Sequence, residues 1–220
     1  MDRSIFQQHG FELSPEEVEK FETFLAHFLE YNSHTNLSAI RDEAGVIEKH
    51  FIDSLMWASI ITEWLKSSHV PLRLLDIWSG GWFPGIPLKI VLPELDVTLL
   101  DSVGKKVKAM NYFIERLELK NIQSIQERAE ILAKNPAFSG QFDFVVSRAT
   151  AYITDILRWA KPFLRPNGKI LLYKMPSNEE DRDRKKIIKK LSLRAEWELF
   201  YELGSKERVI YVFSCDEDKI

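Results

Sequence analysis

Between positions 71 and 173, short apolar runs alternate with segments of helical periodicity. This alternation restricts the possible fold more than any other property of the chain. Residues 73–77, 97–101, 122–125, 142–147 and 169–173 each read as a short buried strand. Helices are predicted from Ile86 to a stop at Pro93, over 105–117 and over 153–164, with Pro166-Asn167-Gly168 as a turn. Strands joined through helices run parallel, and a parallel sheet must be covered on both faces. Beyond a charged helix at 178–191, two further strand-like runs, 193–201 and 208–213, are close enough in sequence to pair antiparallel at an edge.

The first 70 residues read as all-helical. Ser14-Pro15-Glu16-Glu17 is a helix start: serine caps, proline fits the first helical position, and Glu17 closes a capping box. Val18, Phe21, Phe24, Leu25, Phe28 and Leu29 then mark a core-facing stripe, and a second helix is predicted over 43–65. The chain therefore divides into a helical extension, 1–70, and an α/β domain, 71–220, expected to form one compact unit. With 45% hydrophobic and 29% charged residues it has the composition of a soluble globular protein. A net charge of −3 gives no global basic field, so nucleic-acid binding would need a local patch. The single cysteine, Cys215, excludes an intrachain disulfide and a cysteine-built zinc site, and it reads as a small buried hydrophobe. His9, His27, His34, His50 and His69 are scattered without metal-ligand spacing, so no metal is expected. The N-terminus lacks a charged-then-apolar signal pattern, and no apolar run reaches the roughly 18 residues of a membrane span. A cytosolic chain away from the membrane is the expectation.

In open α/β sheets, ligands bind at the carboxyl ends of strands, near the switch in strand order. Three features fall there: the turn at 76–85, the acid Asp101, and Ser147-Arg148-Ala149. An acid ending the second strand can accept hydrogen bonds from the ribose hydroxyls of an adenosine cofactor. This geometry alone fits either a dinucleotide or S-adenosylmethionine. The turn reads Asp76-Ile77-Trp78-Ser79-Gly80-Gly81-Trp82-Phe83-Pro84-Gly85 rather than G-x-G-x-x-G, and its proline disfavours a pyrophosphate cradle. Lys105, Lys106 and Lys108 oppose the dipole of the helix they start, which points either to phosphate contact or to a solvated face. In the charged helix, Glu179, Glu180 and Asp181 come early and the bases late. That order suits the dipole without invoking RNA.

The segment Asp76-x-x-Ser79-Gly80-x-x-Phe83-Pro84-Gly85-Ile86-Pro87-Leu88 resembles the first motif of the RsmG (GidB) family of bacterial rRNA methyltransferases. Tyr31-Asn32-x-x-x-Asn36-Leu37-Ser38, His50-x-x-Asp53-Ser54-Leu55, Leu99-Leu100-Asp101-Ser102-x-Gly104-Lys105-Lys106, Ala129-Glu130 and Ser147-Arg148-Ala149 resemble its other signatures, in order. The resemblance implies an α/β fold of the class I, Rossmann-like methyltransferase type, with a mostly parallel seven-stranded sheet and a helical N-terminal extension. It implies S-adenosylmethionine as cofactor, N7 of a guanine in 16S rRNA as acceptor, and 16S rRNA or the small ribosomal subunit as partner of a monomeric enzyme. By position, Phe83, Ala129, Glu130 and Arg148 match the family's cofactor contacts, and Gly80 and Asp101 fit the general methyltransferase pattern. Trp78 also occupies a cofactor-contact position, where the family has glycine, and Trp82 stands at another glycine position.

Guanine N7 carries a lone pair and no proton, so no catalytic base is assigned. Arg148 is a candidate to touch the cofactor or hold RNA, with a strand-end salt bridge as its structural alternative. For His50 a structural hydrogen bond comes ahead of an rRNA contact. Glycine permits φ > 0 and close backbone approach, whereas a bulky residue at positive φ is an outlier. Trp78 and Trp82 are therefore expected to weaken cofactor binding or to force the loop to rearrange. A chain that had lost the cofactor would be a pseudo-methyltransferase that still binds rRNA.

Overall fold

The computed structural model describes residues 1–35, 38–68, 70–78, 83–148 and 151–215. The extension contains α1 (Ser4–Gln8), α2 (Pro15–Thr35), α3 (Glu43–Val46), a π-helical turn (Ile47–Ile52), α4 (Asp53–Leu55) and α5 (Ala58–Ser67). The capping box forms: Glu17 N donates to Ser14 Oγ at 3.3 Å, and Ser14 N donates to Glu17 Oε2 at 2.6 Å. The helix expected over 43–65 is not continuous. It widens into the π turn and breaks again at Met56 and Trp57. Arg148, a residue distant in sequence, collects the carbonyls of Lys49 and His50 within that π turn.

The remainder runs β1 (Arg73–Ile77), α6 (Gly85–Val91), β2 (Asp96–Asp101), α7 (Gly104–Arg116), β3 (Ile122–Gln126), α8 (Ala129–Leu132), β4 (Phe142–Ser147), α9 (Ile153–Ala160), a 3-10 turn (Lys161–Phe163), β5 (Leu164–Lys174), α10 (Asn178–Lys190), β6 (Leu193–Leu203) and β7 (Lys206–Cys215). These strands form one seven-stranded sheet in the order β3-β2-β1-β4-β5-β7-β6. β7 is antiparallel to both its neighbours, and the other pairings are parallel. The edge hairpin read from the sequence is thus present, joined to the sheet through β7. β5 begins at Leu164 rather than at 169, and Asn167 sits within it at φ 65°.

Both faces of the sheet are covered. On one, Phe24, Phe28 and Phe51 of the extension pack with Leu74, Ile86 and Phe113. On the other, Ile156, Leu157 and Ile187 of α9 and α10 pack against Leu75, Val145 and Leu172. Each fully buried side chain of this size contributes roughly 1.5–3 kcal/mol. The helical stripe of α2 thus lies on the same face as α6 and α7. Strand order reverses between β1 and β4, so the crevice lies at the carboxyl ends of those two strands. No helix among the described residues is long and apolar enough to cross a membrane.

Candidate functional site

Asp76, one residue before the end of β1, is fully buried. Its Oδ2 accepts the Gly85 N–H at 2.9 Å, while Oδ1 has no hydrogen-bond partner among the described residues. Burial pushes its carboxyl up to about 8, against the lowering effect of the Gly85 N–H. Gly85 must be glycine because a Cβ there would meet Leu99 Cδ2 at 2.3 Å and Asp76 Oδ2 at 3.0 Å. The chain leaves β1 through Trp78, which holds φ 55°. The half-buried Trp78 indole packs edge-on against Trp159 of α9, ring centroids 4.1 Å apart. Gly80, an expected cofactor contact, lies outside the described residues, as do Trp82 and Ala149.

Asp101 closes β2 and is 2% exposed. Its carboxylate accepts the Val103 N–H at 2.9 Å and faces Lys106 Nζ at 3.4 Å. Lys106 therefore has a partner within its own turn, while Lys105 and Lys108 stay exposed. Ala129 is buried at the first position of α8 and Glu130 beside it is exposed. At the end of β4, the Ser147 hydroxyl donates to the Ile77 carbonyl at 3.1 Å, tying the two strands together at the switch point.

Arg148 follows directly. Its Nη2 lies 2.7 Å from Asp53 Oδ2, in a pair only 17% and 4% exposed. The same guanidinium donates to the Lys49 carbonyl at 2.8 Å, the His50 carbonyl at 3.4 Å and Ser54 Oγ at 3.3 Å. It lies 5.8 Å from the Phe83 ring and 5.6 Å from the Tyr173 ring, a cation set between two aromatic faces. Asp53 Oδ1 accepts the Tyr201 hydroxyl at 2.5 Å, and the Tyr173 hydroxyl reaches the carbonyls of Asp53 and Ser54. Burial and the Asp53 charge hold the Tyr201 hydroxyl well above its usual range. The Arg148 ion pair thus ties the end of β4 to the π turn, with a brace from β6.

The His50 imidazole stacks on Phe83 at 4.5 Å and 12°, and its Nε2 meets Ser38 Oγ at 3.0 Å. Burial and the nearby Arg148 charge hold it down at about 3, so the ring is neutral. Phe83, 6% exposed, has its ring inside a cluster formed with Phe24, Phe28, His50 and Phe51.

An open cleft of about 320 Å³ adjoins Arg148 at the end of β5. It is lined by Asp53, Arg148, Tyr173, Lys174, Met175, Pro176, Ser177, Glu180 and Arg208. Lys174 Nζ donates to the Ala151 carbonyl at 2.8 Å and pairs with Glu180 Oε1 at 2.9 Å.

The structure therefore gathers Asp76, Phe83 and Arg148 around the β1–β4 crevice. Asp101, Ala129 and Glu130 sit at the ends of the strands on the β2 and β3 side. Sequence reasoning missed Tyr173, Lys174, Glu180 and Tyr201. One signal pointed to Glu180: Ser177-Asn178-Glu179-Glu180 has capping-box spacing at the helix start.

A family model described as rRNA small subunit methyltransferase G (GidB) matches residues 17–208. A ribosomal RNA small subunit methyltransferase G from Acetivibrio thermocellus is 39% identical over 85% of this chain and 75% of its own length. The protein of the same name from Streptococcus pyogenes serotype M1 is 36% identical over 82% of this chain and 74% of its own. Among solved structures, a SAM dependent methyltransferase from Aquifex aeolicus superposes with TM-score 0.54 at 16% identity, covering 81% of this chain and 97% of that one. A ribosomal protein L11 methylase from Lactobacillus delbrueckii subsp. bulgaricus gives TM-score 0.57 at 13% identity, over 76% and 80%. These two likenesses show the fold.

Proposed function

This chain belongs to the rRNA small subunit methyltransferase G (GidB) family, and from that premise we propose that it methylates N7 of a guanine in 16S rRNA of the small ribosomal subunit. By family and fold it is an S-adenosylmethionine-dependent rRNA methyltransferase. The residues present fit that cofactor. Asp76 carries a buried oxygen with no partner among the described residues, and Gly85 leaves no room for a side chain beside it. Asp76 and the turn after it, Gly80 included, would hold the amino-acid end of the cofactor. Asp101 would hold the ribose hydroxyls, and Ala129 with Glu130 would flank the base. Phe83 contributes its main chain, since its ring is committed to the aromatic core. When bound, S-adenosylmethionine supplies a methyl group activated by a positively charged sulfur.

Guanine N7 needs no proton removed, so the chain's task is to orient the base and exclude water. Alignment of this kind is worth roughly 7–11 kcal/mol in good cases. The observation that carries the reading is the meeting of three separate motif segments around one guanidinium. Arg148 pairs with Asp53 at 2.7 Å and sits over Phe83, against which His50 stacks. The test is methyl transfer from labelled S-adenosylmethionine to unmethylated small-subunit RNA, naked and assembled, with the product nucleoside identified by mass spectrometry. 7-Methylguanosine is the expected product; another methylated nucleoside, or none, would refute the proposal. Trp78, at φ 55° and braced on Trp159, favours weakened cofactor binding, the milder form of a pseudo-methyltransferase.

A further inference from the structure

The cleft beside Arg148 contains an ion pair whose chemistry the cofactor does not use. Lys174, the last residue of β5, and Glu180, in the first turn of α10, meet at 2.9 Å with side chains 8% and 15% exposed. A capping box would direct the Glu180 carboxylate back to the Ser177 N–H. Here Ser177 caps α10, its hydroxyl accepting the Glu180 N–H at 3.4 Å, while the Glu180 carboxylate turns to Lys174. Glu180 Oε2 is left buried with no partner among the described residues, an arrangement that is costly for a charged group. Lys174 spends one donor on Glu180 and one on the Ala151 carbonyl, and an ammonium has three. Beside the cleft that both residues line, the pair therefore keeps one donor unused next to one unpartnered carboxylate oxygen.

That pattern matches one base edge. Guanine presents the O6 acceptor next to two donors, N1–H and the N2 amino group, and a carboxylate oxygen with two lone pairs can accept from both. Adenine reverses both of the first two, placing a donor opposite the ammonium and an acceptor opposite the carboxylate. Met175, 57% exposed, and Pro176 provide an apolar ledge for the ring face. N7 lies on the neighbouring Hoogsteen edge, beside O6. A guanine read by its Watson–Crick edge on Lys174 and Glu180 therefore keeps its N7 lone pair unengaged and free to take the methyl group. Arg148 borders both the cleft and the turn after β1, 5.6 Å from the Tyr173 ring and 5.8 Å from the Phe83 ring.

We propose that Glu180, with Lys174, recognises the Watson–Crick edge of the guanine base that this enzyme methylates, and so fixes both base identity and the orientation of N7. The inference rests on the guanine-N7 reading above. Reading an edge of this kind requires the target nucleotide to be unpaired or extruded.

The test compares wild type and Glu180→Gln on small-subunit RNA carrying either guanosine or inosine at the methylated position. Inosine keeps N7, O6 and N1–H but lacks the N2 amino group. Wild type should lose about 10-fold or more in kcat/KM on inosine, in line with one hydrogen bond to a charged group. Glu180→Gln should lose about 10- to 100-fold on guanosine, nearly abolish the guanosine–inosine difference, and leave the cofactor Kd unchanged. A merely structural role would lower both substrates alike and preserve the ratio. A guanosine–inosine ratio in Glu180→Gln equal to that of wild type overturns the proposal. Should wild type methylate no RNA, the function above falls, and the base site is judged by saturation-transfer NMR. Stronger binding of guanosine 5′-monophosphate than of inosine 5′-monophosphate, lost in Glu180→Gln, then supports it, and equal binding overturns it.

Discussion

Replacing Asp53 with asparagine tests whether the Arg148 ion pair holds the two halves of the site together. The perturbation is nearly isosteric and removes one charge. It leaves a guanidinium that is 17% exposed facing a neutral amide where a carboxylate stood at 2.7 Å. Breaking a buried pair by removing one partner costs about 3–5 kcal/mol, because the other charge is left uncompensated. Arg148 keeps the carbonyls of Lys49 and His50 and the Ser54 hydroxyl, so the lower end, about 3 kcal/mol, is expected. For a chain of this size each kcal/mol moves Tm by about 2–4 °C, which gives a drop of about 6–12 °C. Tyr201→Phe should cost about 1.5 kcal/mol through its lost bond to the Asp53 carboxylate. The double variant should be less destabilised than the sum, because both changes remove the same contact. Urea unfolding of all four proteins gives the cycle, and amide hydrogen exchange localises the effect to residues 47–52. Strict additivity, or a Tm drop for Asp53→Asn below about 2 °C, would show that the ion pair does not carry the junction.

Three further outcomes follow from the crevice. Gly85→Ala places a Cβ 2.3 Å from Leu99 Cδ2, and overpacking of this kind costs about 1–3 kcal/mol, so Tm should fall by several degrees. An unchanged Tm would show that α6 shifts freely. The raised carboxyl of Asp76, about 8 in the fold against an ordinary 3.8, means the folded state holds its proton longer than the unfolded chain. Its contribution is complete below about pH 4 and is lost as pH rises through 8. Wild type should therefore lose stability relative to Asp76→Asn between about pH 4 and 8 and level off above, a window in which His50, held down at about 3, stays neutral in the fold. Parallel urea midpoints for the two proteins across that window would refute it. Trp78→Gly relieves a left-handed tryptophan worth roughly 1–2 kcal/mol but removes the Trp159 contact, worth about 0.5–1.5 kcal/mol. Stability should change little, while S-adenosylmethionine affinity measured by calorimetry rises at least about 10-fold. Unchanged affinity would show that the indole does not obstruct the cofactor.

What could be read from the sequence follows what was local. Strands β1 to β5 announced themselves because buried parallel strands are short apolar runs, and the β6–β7 hairpin because its partners are neighbours in the chain. The π turn did not. Residues 43–65 have helical spacing throughout, and the carbonyls of Lys49 and His50 are claimed by Arg148, a partner that spacing cannot reveal. Phe83 shows a different gap. Its position in the turn was read as a cofactor contact, but the size of its ring was settled by Phe24, Phe28, Phe51 and His50, residues of an extension read separately. The charged helix is the sharpest case. Acids first and bases last satisfy the dipole of α10, and that sufficiency concealed a second role for Glu180. Only the fold brings Lys174, at the end of β5, to its carboxylate and leaves one oxygen buried without a partner among the described residues, in a residue that lines a cleft. A charge pattern explained by a helix alone is therefore compatible with recognition by one of its members, and burial of that member is the property that separates the two.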